Sequence, residues 1–339
     1  MGFIANYIAN LTPVALGLEP KRPLLFSYYA THRCNLGCAY CSDGHGIRFK
    51  EDPIPELGTK DAKRLITLLS RCCDTLDITG GEPLLRNDLE TLLEHARSAG
   101  MRTILNTKGP GLRERPELLR CSNVLVLGID ALEESKLAQR IGRPIDAAKE
   151  ILSSLDYALS KRRETGTKLA LSVVASPGCL DSAEQMLDFA MANKLGFHLS
   201  PEIRGTSVHP ALRNNADYRR IIDKALSAKK RGACVLGVPE YLEGIRDFRP
   251  FHCHPLLMPT IRPDGRLYYP CLEYKKAEIS VLEAGSYPEA LRQAKERQGR
   301  IPDCGDRCHI FCHMALSLLQ RHPISALGES RHWEETGKC

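Results

Sequence analysis

Apolar strand patterns and amphipathic helix patterns take turns along about the first 205 residues of this 339-residue chain. LLFSYYA at 24–30 reads as a buried strand, as do DTLDITG, MRTILNTKG, NVLVLGID, KLALSVVAS and FHLSPEI. Helix patterns lie between them. Residues 59–71 place Leu65, Leu68 and Leu69 on one face with Thr59 at the cap position. NDLETLLEHARSAG has Asn87 as cap and Gly100 as stop. ERPELLRC is a short helix, and 144–163 and DSAEQMLDFAMANKLG are longer ones. This alternation predicts an α/β fold with a parallel sheet and right-handed crossovers. Ligands of such sheets sit at the carboxyl ends of the strands. The loop at 34–41 and the turns GGEP, LNTKG and GID all follow strands, so they are predicted to converge on one face.

The rhythm breaks after Thr206. Residues 215–231 read as a helix, and Pro239, Pro250, Pro255, Pro259 and Pro263 mark an irregular stretch. IRPDGRLYYPC is a hairpin pattern around the PDG turn. A helix at about 288–298 follows, then DCGDRCHIFC ahead of a helix at HMALSLLQ. At the other end, Phe3, Ile4, Tyr7, Ile8 and Leu11 are at helical spacing. Their apolar face is expected to pack on the domain, with a dimer or membrane-surface contact through residues 3–11 as the alternatives. Asn rather than Lys or Arg on the polar face weakens the membrane reading.

The net charge of +6 is spread along the chain and permits an anionic substrate. Lys161-Arg162-Arg163 and Lys229-Lys230-Arg231 read as solvated helix faces. No basic stripe interleaved with aromatics points to nucleic acid. No apolar run suffices for a membrane span, and no signal peptide is evident, so a cytoplasmic protein is expected, with membrane association left open through the N-terminal helix. Fourteen cysteines in a reducing compartment then need a reason other than disulfides. Cys72, Cys73, Cys121, Cys179 and Cys234 read as small buried hydrophobes, and Cys339 as part of a disordered terminus. Two groups remain: Cys34, Cys38 and Cys41, and Cys253, Cys271, Cys304, Cys308 and Cys312.

The first group has the spacing CxxxCxxC. Three soft thiolates suit a four-iron cluster and leave one iron without a protein ligand. A zinc site is the competing reading; it needs a fourth donor, for which His32 or His45 could serve. CNLGCAYC resembles the cluster loop of the radical S-adenosylmethionine (SAM) superfamily, and Gly80-Gly81-Glu82-Pro83 resembles its GGEP turn. LNTKG at 105–109 and GIDALEES at 128–135 resemble its later strand ends. The resemblance implies a partial (β/α)6 barrel with a smaller cysteine-rich auxiliary-cluster domain at the C-terminal side. It implies boundaries at 1–22 for an apolar arm, 23–232 for the radical SAM core, 233–321 for the auxiliary domain and 322–339 for a tail.

It also implies chemistry. Cys34, Cys38 and Cys41 would hold a 4Fe–4S cluster whose open iron binds SAM. Gly80, Gly81, Glu82 and Pro83 would hold the methionine amine, and Tyr40 would lie near the adenine. Asn106, Thr107, Asp130 and Ser172 are candidates for ribose or carboxylate contacts, against a plain turn-forming alternative. A reductant such as flavodoxin or ferredoxin would supply one electron. SAM would be cleaved to a 5′-deoxyadenosyl radical that takes hydrogen from an unactivated carbon.

The second group resembles the auxiliary-cluster extensions called SPASM and twitch domains. Cys253, Gly265 and Cys271 give C-x11-G-x5-C, one residue off the usual glycine position, and Cys304-x3-Cys308-x3-Cys312 departs from the usual last knot. One auxiliary 4Fe–4S cluster is expected, held by Cys253, Cys271 and two of Cys304, Cys308 and Cys312; a zinc site and no metal at all are the alternatives. His252, His254, His309 and His313 flank the group; they could tune the cluster or replace a ligand, but a surface role is the expectation for each. The 33 residues before Cys34 read as too few for a leader-peptide domain. This favours a small-molecule or lipid-like substrate over a peptide or protein. A non-catalytic electron carrier is the remote reading, opposed by the GGEP turn.

Overall fold

The computed structural model describes residues 2–42, 46–274, 277–302, 304 and 308–335. In chain order these form α1 (Phe3–Ala15), β1 (Phe26–Thr31), α2 (Thr59–Ser70), β2 (Thr75–Gly80), α3 (Leu89–Ser98), β3 (Arg102–Thr107), α4 (Glu117–Cys121), β4 (Val124–Leu127), α5 (Glu134–Ile141), α6 (Ile145–Thr165), β5 (Lys168–Ala175), α7 (Leu180–Ala192) and β6 (Gly196–Pro201). Then come β7 (Ile203–Arg204), β8 (Ser207–Val208), α8 (Ala216–Lys230), α9 (Pro239–Asp247), β9 (Thr260–Ile261), β10 (Arg266–Tyr269), β11 (Ala277–Ser280), α10 (Val281–Ala284), α11 (Tyr287–Gln298), α12 (Phe311–Arg321) and α13 (Pro323–Glu335).

Strands β1 to β6 are parallel neighbours in sequence order. Residues with alternate parity point to opposite faces of a strand. Phe26, Tyr28, Leu76, Ile78, Leu105, Leu171, Val173, Phe197 and Leu199 point outward into the core formed with the helices. Ser27, Asp77, Asn106, Ser172 and His198 therefore share the concave inner face, the lumen of a partial barrel. The register supports this: Ser27 pairs with Asp77, and Ser172 with His198.

The hairpin of residues 260–269 forms as expected, with Ile261 opposite Leu267. It does not stand apart. β9 pairs in parallel with β1, and β10 and β11 follow antiparallel, so the C-terminal segment extends the same sheet on the far side of β1 from β2.

The proline-marked stretch contains the helix α9, which Pro239 opens. Its ring suits the first helical turn, where no amide hydrogen is needed. Thr59 is the first residue of α2 rather than its cap, and its hydroxyl donates to Asp88 (2.8 Å). Asp88, not Asn87, precedes α3. The expected tail at 322–339 carries α13, whose Glu329 pairs with Lys229 of α8. Lys229 is thus buried, not on a solvated face, and also donates to the Val235 carbonyl (2.6 Å). Cys73 and Cys121 are buried, Cys72, Cys179 and Cys234 are half-buried, and Cys339 lies outside the described residues.

Helix α1 keeps the expected apolar face only in part. Phe3, Tyr7 and Leu11 are half-buried, and the Tyr7 hydroxyl donates to Leu319 O (3.0 Å). Asn6 and Asn10 are buried with Pro13 and Val14, however, whereas Ile4 and Ile8 are 73% and 61% exposed. The cause is hydrogen bonding. The Asn6 amide donates to the carbonyls of Pro23 and Cys72 (2.8 and 2.9 Å), and Asn10 donates to Arg22 O (2.8 Å) while accepting from the Lys21 amide (2.9 Å). Those backbone groups have no ladder of their own, and leaving them unpaired costs more than burying two isoleucines would gain.

Candidate active site and second cysteine cavity

β1 delivers the chain into the cysteine loop at the carboxyl edge of the sheet. Cys34, Cys38 and Cys41 line one cavity together with Leu36, Gly37, Lys50 and Gly81. Two contacts shape the loop. The Lys50 ammonium donates to Leu36 O (2.9 Å), and the Gly37 amide donates to Ile141 O (2.7 Å). The second needs Gly142 at the end of α5: it has φ +58°, and a Cβ there would stand 2.7 Å from Gly37 O.

Burial pushes the Cys34 thiol up, and it pushes Cys41 up to about 12, with Cys38 and Cys34 adding to the effect. Three adjacent, sheltered sulfurs cannot all ionise without a cation among them, and the donor set of three soft sulfurs fits iron. His32 is not at this cavity. Its Nδ1 lies 2.8 Å from Asp52 O, and its ring packs on Tyr29 and Phe49. His45 is outside the described residues.

The GGEP turn is pressed against the start of the loop. The Gly81 amide donates to Thr31 O and the Glu82 amide to Arg33 O, both at 2.8 Å. A Cβ on Gly80 or Gly81 would stand 2.2 or 2.3 Å from those same carbonyl oxygens. Glu82 is buried, and burial raises its carboxyl against three donors: Leu84 N (3.0 Å), Thr107 Oγ1 (2.5 Å) and Lys108 N (3.0 Å). Glu82 and Thr107 thus lock the ends of β2 and β3 together. Pro83 opens the short turn that follows.

Tyr40, at the other side of the loop, donates to Asp130 Oδ2 (2.5 Å). Lys108 Nζ donates to Tyr40 Oη (3.0 Å) and lies 3.3 Å from Asp130, whose second oxygen accepts from Val174 N (3.0 Å). The Arg140 guanidinium sits 4.7 Å from the Tyr40 ring centre. Lys108 and Arg140 were not among the expected site residues. Lys108 lies inside the quoted LNTKG turn, but nothing in the sequence marked Arg140.

Asn106 and Ser172 turn into the lumen. The Asn106 amide and the Ser27 hydroxyl (3.0 Å) both donate to Asp77, and Ser172 Oγ is 2.9 Å from His198 Nδ1. Burial pushes Asp77 up to about 6 and His198 down to about 3. The folded chain thus holds the Asp77 proton to higher pH than the unfolded chain, so ionisation opposes folding as pH rises from about 4, fully above about 6. Asp77→Asn is expected to raise thermal stability at about pH 7.5, by up to about 3 kcal/mol, and much less at about pH 4. Equal shifts at the two pH values, by calorimetry, would remove the carboxyl as their cause.

The second group converges too. Cys253, Cys271, Cys304 and Cys308 line one cavity, with Glu273 and His313. A hydrogen bond with Cys304 is the first cause holding Cys253 high, burial is the second, and Cys271 and Cys308 are each pushed to about 12 chiefly by burial. Four sulfurs around one space fit a four-iron cluster, and a zinc ion equally. Cys312 is not among the lining residues. The second residue of α12, it is pushed up to about 12, by burial first and then by Asp77. Its neighbour Phe311 lies against His198, with ring centres 3.5 Å apart. Of the flanking histidines, His252 is exposed as expected; His254, His309 and His313 are buried beneath α12 and its approach.

A parallel partial barrel with a three-cysteine loop and a GGEP turn at its strand ends is the radical SAM architecture. The radical SAM superfamily model matches residues 28–190, and the chain belongs to that superfamily. Over 180 residues it is 31% identical to GTP 3′,8-cyclase of Rhodopirellula baltica, covering 50% of this chain and 48% of that protein. It is 29% identical to PqqA peptide cyclase of Streptomyces rochei, covering 48% and 43%. The chain thus spans about half the length of these curated relatives or less. Streptococcus suis SuiB bound to precursor peptide SuiA shares the fold, with TM-score 0.58 at 19% identity over 82% of this chain and 66% of that one.

Proposed function

We propose that this chain is a peptide-modifying radical SAM enzyme with one auxiliary 4Fe–4S cluster. The reading is carried by the second cavity. Cys308 lines it, and Cys312, four residues on, stands near Asp77 in the lumen, so an electron acceptor there would be close to a substrate held in the barrel. Cys253, Cys271, Cys304 and Cys308 would hold that cluster, leaving Cys312 as a lumen thiol. When bound at Cys34, Cys38 and Cys41, the cluster and SAM supply a 5′-deoxyadenosyl radical that removes hydrogen from carbon.

The chain's own groups shape where this happens. Glu82, Thr107 and the GGEP glycines fix the turn that would take the methionine amine. Asp130, Lys108 and Arg140 fix Tyr40 beside the adenine position. Asp77, Asn106, Ser172 and His198 present polar atoms to the substrate, and α12 shields the lumen from water. A flavodoxin- or ferredoxin-like reductant would deliver the electron.

The peptide reading is favoured over the small-molecule or lipid one by relatives named for peptide cyclisation. No side chain of α1 lines either cavity, so its exposed Ile4 and Ile8 offer no place for a lipid-like substrate at the candidate sites. The test supplies the anaerobically reconstituted, reduced protein with SAM and short peptides encoded beside its gene. Formation of 5′-deoxyadenosine together with hydrogen loss from a peptide, read by mass, is expected. Turnover with nucleotides or lipids and none with peptides would overturn the peptide reading.

A further inference from the structure

We propose that His313 donates a hydrogen bond to a sulfur of the cluster in the second cavity and thereby sets its reduction potential. The inference rests on the auxiliary-cluster reading above and concerns a residue beyond the sulfur ligands.

Successive residues of a helix point about 100° apart. At the start of α12 this separates Cys312, near Asp77, from His313, which lines the four-cysteine cavity. His313 is 5% exposed, and its Nδ1 is buried without a hydrogen-bond partner among the described residues. Such an orphan is destabilising unless something completes it. The cavity offers the completion. Thiolate and sulfide sulfurs are acceptors, so a cluster held by Cys253, Cys271, Cys304 and Cys308 selects the tautomer that turns N–H towards it. Hydrogen bonds to cluster sulfurs stabilise the more negative, reduced state and raise the potential. A cluster tuned upward in this way is a better electron acceptor for a substrate radical in the lumen.

The experiment uses the full chain with Cys34, Cys38 and Cys41 changed to alanine, so that only the second cluster contributes. Into this background go His313→Phe, which removes the donor, and His313→Gln, which keeps an N–H. After anaerobic reconstitution, iron content, circular dichroism and a potentiometric titration followed by electron paramagnetic resonance are measured. All three proteins are expected to hold about four irons. The midpoint should move negative in His313→Phe and return towards the parent in His313→Gln. Pulsed resonance should show a nitrogen coupling in the parent that His313→Phe lacks.

Equal midpoints in the parent and His313→Phe overturn the inference. So does loss of iron from both folded variants, which would make His313 a ligand. A parent without iron fails differently: it removes the auxiliary cluster itself, and the inference with it.

Discussion

Changing Cys34, Cys38 and Cys41 together to alanine is expected to leave a folded protein that keeps about four irons and no longer cleaves SAM. The three sulfurs come from one loop, and none lines the second cavity, so the two sets of ligands are separable. Alanine removes the ligands without adding bulk. The loop stays anchored at Gly37 and Leu36 by backbone contacts that involve no sulfur. Formation of 5′-deoxyadenosine should fall by more than about a thousandfold, since enzymes commonly stand 10⁶-fold or more above the uncatalysed reaction. Iron and sulfide counts beside a SAM-cleavage assay read both halves. Cleavage surviving in the variant would overturn the assignment of the loop, and an iron-free variant would overturn the second cluster.

Gly80→Ala should do nearly as much damage by a different route. Gly80 has φ +137°, where a side chain is strained, and its Cβ would stand 2.2 Å from Thr31 O. That oxygen accepts the Gly81 amide, so the clash pushes the GGEP turn off the cysteine loop. Strain and overpacking together are expected to cost about 3 kcal/mol, roughly 4 °C in Tm for a chain of this size. SAM affinity should fall with it. Gly58→Ala is the control: nothing lies within 4 Å of its Cβ, and its φ of −63° suits alanine. A Gly80 variant that melts with the Gly58 variant and binds SAM normally would refute this account of the turn.

The barrel was readable because strand and helix periods differ and because turns after strands share one edge. The four loops that alternation sends to that edge carry the residues the structure assembles there, from Cys34 to Asp130. What stayed hidden was set by partners distant in sequence. Asn6 and Asn10 look like the polar face of a surface helix until the carbonyls of Arg22, Pro23 and Cys72 require donors. Cys304, Cys308 and Cys312 are evenly spaced, so spacing could not say which one leaves the cavity; the start of α12 separates Cys312 from the others. His313 resembled a surface residue because nothing in its neighbourhood shows that α12 lies over the second cavity. Asp77 and His198 sit in ordinary strand patterns, and only strand parity within the assembled sheet turns them inward.

The place of β1 in the sheet also has a consequence in time. Its partner on one side, β2, follows soon after it, but on the other side Ser27 pairs with Thr260. At translation rates of about 5–20 residues per second, β1 waits on the order of ten seconds or more for that second neighbour. Until then the strand that leads into the cysteine loop is an open edge, and open edges recruit foreign strands. Newly made chains are therefore most exposed to aggregation just when their first three sulfurs are already out of the ribosome. Cofactor delivery and chaperone protection act on the same unfinished edge.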